Sequence, residues 1–311
     1  MTSTWNGNQL SRLMLGTVQL GMPYGVANRT GQPTYGDVLE ILSAALEGGV
    51  NCFDTAAAYG TSEEVLGRAL TELGVIDRVT VVTKVRPIDP AQQADIDRIS
   101  KLIEQSITES RQRLRLDSLP VVLFHREGDA RYRNVLAEFR DRGWLRHFGV
   151  SCDNRPGPAA QFIAEGCFSA LQIPANILDG RHLQSGVFQD AAARGVAVFV
   201  RSVYLQGLVV MPECDIPPAL QGVIPVRRRL ELLAGDAGMN LAEMSLRYML
   251  SQNDVTSVIT GVETVSQVKA NLAMFNRGPL PEDLLTAIAK ETTELPESTI
   301  SPNMWPRQAP N

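Results

Sequence analysis

Short apolar runs alternate with longer amphipathic stretches along most of this chain. Runs rich in Val, Ile, Leu and Phe at 13–17, 50–54, 79–84, 121–125, 147–151, 170–173, 196–201 and 257–261 have the length and β-branched content of buried strands. Between them, at 35–47, 62–73, 94–114, 131–142, 158–165, 183–194, 241–251 and 265–274, apolar residues recur three and four positions apart, the spacing of a helix with one buried stripe. Eight strands alternating with eight helices predict a parallel (β/α)8 barrel, with the 311 residues forming a single domain.

Local chemistry supports the helix assignments. Thr61 with Glu64 three residues on predicts a capping box, Gly48-Gly49 stops the first helix, and Gly143 stops the fourth. Two segments break the rhythm. Residues 20–33 are rich in Gly and Pro, and residues 202–240 carry Pro212, Pro217, Pro218 and Pro225. Both follow strands, so in a barrel both lie over the C-terminal mouth, where long loops are functional. The tail, 296–311, reads as irregular chain packed over the barrel.

Three of the apolar runs end on a reactive group: Asp54, Lys84 and His125, with Tyr59 five residues beyond Asp54. Burying a charge without a partner is costly. Charges at the ends of neighbouring strands are therefore expected to share one site. A tyrosine is a weak acid at neutral pH, with an unperturbed pKa of about 10, and a nearby ammonium favours its phenolate. Asp54 can hold Lys84 charged, and His125 can bind a carbonyl oxygen or assist proton movement. Such a set suits giving a proton to a carbonyl or taking one from an alcohol. Taken singly, each residue has a plainer reading: a helix cap for Asp54, a rim aromatic for Tyr59, a snorkelling or Schiff-base lysine for Lys84, and a structural histidine for His125.

Composition narrows the field further. The net charge of -5 with mixed signs and no basic block argues against a nucleic-acid surface. Four scattered cysteines and three histidines show no metal-ligand spacing, so no metal is expected, and reduced thiols fit a cytoplasmic protein. The N-terminus has no signal-peptide pattern, and the most apolar stretch, 195–210, is interrupted by Arg201 and Gln206, so no membrane span is expected.

The series Asp54-Thr55-Ala56-Ala57-Ala58-Tyr59-Gly60, Thr83-Lys84 and Leu123-Phe124-His125 resembles the aldo-keto reductase family, in a bacterial branch. Leu15-Gly16-Thr17, Phe148-Gly149-Val150-Ser151, Gln172 with Asn176, the segment from Arg201 to Leu208, and the segment from Ile259 to Asn271 extend the likeness over nearly the whole chain. The resemblance implies hydride transfer between NAD(H) or NADP(H) and a small carbonyl or alcohol substrate, a sugar or small aldehyde among the options. It implies Tyr59 as general acid, Lys84 lowering its pKa, Asp54 pairing with Lys84, and His125 orienting the carbonyl. It places Gly16, Thr17 and Asp54 along the cofactor, Ser151, Cys152 and Gln172 at the carboxamide, and Leu205, Gln206 and Gly207 beside the pyrophosphate with Ser202. Gly261, Glu263, Thr264, Gln267 and Asn271 fall on the adenosine side. Cys152 stands where many relatives have Asn. Arg201 stands where many have an aromatic, and either stacks on the nicotinamide or forms a salt bridge at the rim.

Two rival readings accompany this one: a Schiff-base aldolase using Lys84, and a cofactor-sensing regulatory protein with little turnover. Tyr24 and Asn28 are candidates for binding substrate hydroxyls, and Arg126 for meeting an anion. Glu263, where a 2′-phosphate requires cations, favours acceptance of NAD(H) and a weak or reversed preference for NADP(H).

Overall fold

The computed structural model describes residues 1–25, 28, 31–89, 96–292 and 295–305. Among these, ten strands form two sheets. β1 (Thr2–Trp5) and β2 (Asn8–Ser11) make an antiparallel hairpin that the periodicity did not announce. The other eight are β3 (Leu13–Gly16), β4 (Cys52–Asp54), β5 (Thr80–Lys84), β6 (Leu119–Phe124), β7 (Leu145–Ser151), β8 (Ala170–Pro174), β9 (Ala197–Arg201) and β10 (Ser257–Gly261). They close into a parallel barrel in chain order, with β10 pairing both β9 and β3. The expected (β/α)8 architecture is present.

The strands are apolar on both faces because the barrel has an inside and an outside. Met14, Cys52, Val82, Val121, Leu123 and Phe199 share one cluster in the lumen. Their sequence neighbours Leu13, Leu15, Val81, Val122, Phe124 and Val198 belong to the cluster shared with the surrounding helices. This alternation follows from the two-residue period of a strand. Trp5 and Leu10 of the hairpin join the lumen cluster, so the hairpin plugs the end opposite the strand C-termini. Trp5 is fixed there by its Nε1, which donates to Gly195 O at 3.1 Å, and by His147, whose ring centroid lies 4.6 Å away.

The outer helices include Tyr35–Glu47, Ser62–Glu72, Ile96–Leu114, Arg133–Asp141, Pro156–Glu165, Leu241–Leu250 and Val265–Asn276. Residues 94 and 95, included in the expected third helix, lie outside the described residues. Several local expectations need correction. The capping box belongs to Thr34 and Asp37, at the first helix. Thr61 makes no side-chain cap; its hydroxyl accepts from Gln32 Nε2 at 3.2 Å and donates to Gly21 O at 3.3 Å. The helix expected over 183–194 is divided into Arg181–Gln184 and Val187–Ala193 by Gly186, which takes a φ of 78°.

The segment 202–240 is not plain loop. It contains the helix Ile224–Asp236, whose Val226 and Leu230 join Leu208, Val223 and Met244 in a second apolar cluster. Helix Glu282–Glu291, also unannounced, adds Leu284 and Ile288 to that cluster. The tail adds Ile300 from the short helix Glu297–Ile300, and Asn154 Nδ2 donates to Ile300 O at 3.3 Å. Residues 306–311 of the tail lie outside the described residues, as do 26, 27, 29 and 30 in the loop after β3. Among the described residues no helix is long and apolar enough to cross a membrane.

Candidate active site

Parallel closure carries the C-terminal ends of neighbouring strands to one mouth. Asp54 ends β4, Lys84 ends the adjacent β5, and His125 directly follows β6. Lys84 is 1% exposed, and its Nζ donates to Asp54 Oδ1 at 2.7 Å and to Thr55 O at 2.9 Å. Gln172, from β8 across the barrel, donates through Nε2 to the same Asp54 oxygen at 2.6 Å. A buried ion pair persists only when further hydrogen bonds offset the desolvation of both ions. Burial pulls the Lys84 pKa down, but Asp54 and Tyr59 raise it more, so the net shift is upward and the ammonium stays charged.

Tyr59 sits on a turn tied to the loop after β3 by a cluster of buried hydroxyls. Ser62 Oγ donates to Thr17 O at 2.8 Å and lies 2.8 Å from Thr17 Oγ1 and 3.0 Å from Thr55 Oγ1. Thr17 Oγ1 donates to Asp54 O at 2.8 Å. Gly21 packs directly on this turn, and a Cβ there would overlap the Tyr59 carbonyl and the Ser62 amide. Gly60, with a φ of 56°, leaves room for the Gly21 carbonyl in return.

Two groups pack against the Tyr59 ring. Lys84 Nζ is 4.8 Å from its centroid, and the His125 ring meets it edge-on at 5.6 Å. The surrounding protein raises the Tyr59 pKa above its ordinary value, with Asp54 adding to that shift, while Lys84 and Arg201 oppose it. The expected lowering by Lys84 is therefore present as one influence, but burial outweighs it. His125 is pushed down to about 3, first by burial and then by Lys84 and the arginines 201 and 126. Its imidazole is neutral at physiological pH, and its Nδ1 is buried without a hydrogen-bond partner among the described residues.

These groups open into a cleft of about 620 Å³, within the range of sites for ligands of cofactor size. Asp54, Tyr59, His125, Ser151, Gln172 and Arg201 line it, as do Tyr24 and Gly16. So do Ser202, Gln206, Gly207, Gly261, Glu263, Gln267 and Asn271. Ser151 Oγ donates to Gln172 Oε1 at 3.4 Å.

Other candidates are placed differently. Lys84 is buried beneath the cleft surface. Thr17 and Leu205 are fully buried. The Cys152 side chain belongs to the core between barrel and helices. The Thr264 side chain caps helix Val265–Asn276 by accepting from Gln267 N. Arg201 forms no ion pair among the described residues; its Nη2 donates to Cys152 O at 2.9 Å and its Nη1 to Ser202 Oγ at 3.2 Å.

The cleft also uses residues to which the sequence reading assigned no role of their own, among them Gln19, Asp153, Tyr204 and Thr260, the last two inside segments that carry the family likeness. Asp153 follows the end of β7 by two residues, and that position on a barrel was the signal available for it. Three of the four are informative as orphans: Gln19 Oε1, Tyr204 OH and Thr260 Oγ1 are buried with no partner among the described residues. Buried polar atoms normally have partners, so these fit an occupant of the cleft. Ser202, Leu205 and Gln206 take φ values of 65°, 47° and 54°. Such strain concentrates in ligand clamps. The polar lining, the orphaned atoms and the strained turn fit a nicotinamide dinucleotide.

Residues 12–291 match the family model of the Aldo/keto reductase family. An uncharacterized oxidoreductase, YqkF, from Bacillus subtilis is 24% identical, with 82% of this chain and 88% of the relative covered. The NADH-specific methylglyoxal reductase of Escherichia coli is 23% identical, with 86% of this chain and 90% of the relative covered. The holo structure of aldo-keto reductase AKR11C1 from Bacillus halodurans is similar in fold, with a TM-score of 0.77, 21% identity, and 96% of this chain and 99% of that one covered. The protein belongs to the aldo/keto reductase family and is an NAD(P)-dependent oxidoreductase.

Proposed function

We propose that Tyr59 exchanges the proton in reversible reduction of a small carbonyl compound to an alcohol. The observation that carries this reading is the buried Lys84–Asp54 pair set against the Tyr59 ring, with a neutral His125 meeting the same ring edge-on. When bound, the nicotinamide cofactor supplies the hydride that the carbonyl carbon accepts. Tyr59 gives its hydroxyl proton to the carbonyl oxygen, and Lys84, charged throughout, stabilises the phenolate left behind. His125, neutral, donates a hydrogen bond to the same oxygen and sets its direction. In the alcohol-oxidising direction the Tyr59 phenolate takes the proton back.

Ser151 and Gln172 are assigned to the carboxamide of the cofactor, and Gly16, Ser202, Gln206 and Gly207 to its ribose and phosphates. Asn271, Gln267 and Glu263 are left for the adenosine end. The Glu263 carboxylate there favours NAD(H), because it repels a 2′-phosphate and accepts from ribose hydroxyls. Schiff-base chemistry at Lys84 is disfavoured by burial and charge, since a protonated amine is no nucleophile.

The test is a turnover assay with NADH and NADPH over a panel of aldehydes, run beside Tyr59→Phe. Wild-type turnover that Tyr59→Phe abolishes supports the reading. Undiminished turnover by Tyr59→Phe rules it out.

A further inference from the structure

Resting on that reading, we propose that Asp153 and Arg201 form a hydroxyl-binding pair that selects carbonyl substrates bearing neighbouring hydroxyl groups. Both residues line the cleft, and Arg201 lies close enough to Tyr59 and His125 to act on the charge of each. They flank one backbone unit: Arg201 Nη2 donates to the carbonyl of Cys152, and Asp153 is the next residue.

The Asp153 backbone is clamped from two sides. Its N–H donates to Glu127 Oε1 at 2.8 Å, and its carbonyl oxygen lies 3.0 Å from Nε2 of the buried His182. His182 Nδ1 has no partner among the described residues, so Nε2 is the natural donor to that carbonyl. The carboxylate itself has no hydrogen bond or ion pair among the described residues. The exposed Asp153 therefore borders the cleft from a fixed main chain, with its carboxylate available to a ligand.

The chemistry of that ligand follows from charge. Arg201 is the one cation among the described residues lining the cleft. Lys84 is matched by Asp54, and the guanidiniums of Arg201 and Arg126 are matched by the nearby carboxylates of Asp153 and Glu127. An anionic substrate would find no uncompensated cation there. A neutral molecule with adjacent hydroxyls suits the pair well. The carboxylate accepts one O–H, and the guanidinium donates to the other oxygen.

The discriminating experiment compares kcat/KM for glyceraldehyde, propanal and glyoxylate in wild type, Asp153→Ala and Asp153→Glu. Folding of each variant is checked by its NADH dissociation constant from tryptophan fluorescence. Wild type is expected to favour glyceraldehyde over propanal by about tenfold or more, from one charge-assisted hydrogen bond, and to reject glyoxylate. In Asp153→Ala the glyceraldehyde-to-propanal ratio falls about tenfold, through KM rather than kcat, and Asp153→Glu restores part of it. Good propanal turnover with no preference for glyceraldehyde, or a ratio that Asp153→Ala does not move, overturns this inference and leaves the chemistry at Tyr59 standing. Loss of turnover on all three aldehydes in wild type overturns both.

Discussion

Lys84 Nζ stands 2.7 Å from Asp54 Oδ1, and both side chains are almost wholly out of water. Removing one partner strands the other charge. Asp54→Asn is expected to lower stability by about 3–5 kcal/mol, the cost of breaking a buried pair from one side. The double variant Asp54→Leu with Lys84→Met is expected to be more stable than Asp54→Asn, because no lone ion is left behind. Urea denaturation midpoints of the three proteins check both statements. A double variant no more stable than Asp54→Asn would show that the pair is not desolvated as described.

Tyr59→Phe removes the proton and little else. Turnover is expected to drop about 10²–10⁴-fold, the usual contribution of general acid catalysis. The NADH dissociation constant is expected to stay within about twofold. Single-turnover kinetics and fluorescence titration separate the two quantities.

The folded pKa of His125 is about 3, against about 6.5 in the unfolded chain. Between those values the unfolded state binds a proton that the native state does not, so stability falls as pH drops through that window. His125→Asn is expected to make this acid-side loss shallower, as read from melting temperatures between pH 7 and pH 4. The same neutrality means that carbonyl reduction has no limb near pH 6.5. Its decline is expected on the alkaline side, above the ordinary phenol value of about 10, since the Tyr59 pKa is raised.

Gly21 lies far from Tyr59 in sequence but against its backbone in space. In Gly21→Ala the new methyl group overlaps the Tyr59 carbonyl, so the turn must shift. The expected result is a fall in kcat of about a hundredfold, the scale set by a displacement near 1 Å, with a much smaller change in cofactor affinity. A kcat equal to wild type would show that the turn does not set the Tyr59 position.

Glu263 lines the cleft, and its N–H is held by Gln267 Oε1 at 2.7 Å. NADH is expected to bind more tightly than NADPH, and Glu263→Arg to reverse the order. Titrations of both nucleotides at two salt concentrations measure this, since a phosphate–guanidinium contact weakens with salt. Tighter NADPH binding by wild type would place the phosphate on other groups.

The barrel was legible because its pattern is local. Runs such as Val79 to Lys84 alternate with amphipathic helices, and that order alone dictates parallel strands with covered faces. The convergence of Asp54, Lys84 and His125 followed from the same logic, since adjacent parallel strands end at one mouth. Connections hid what local pattern cannot express. The hairpin 2–11 and the helix Ile224–Asp236 are stabilised by surfaces contributed from elsewhere in the chain, by the barrel lumen for Trp5 and by the second apolar cluster for Leu230. Side-chain direction was equally out of reach. Ser151 and Cys152 are neighbours, yet one faces the cleft and the other the core, because successive side chains on extended backbone point opposite ways. Thr61 has the sequence of a cap, but its hydroxyl is turned to Gln32 and Gly21. The pKa of Tyr59 depends on how much protein surrounds the phenol, and the spacing of Asp54, Tyr59 and Lys84 carries no measure of that burial.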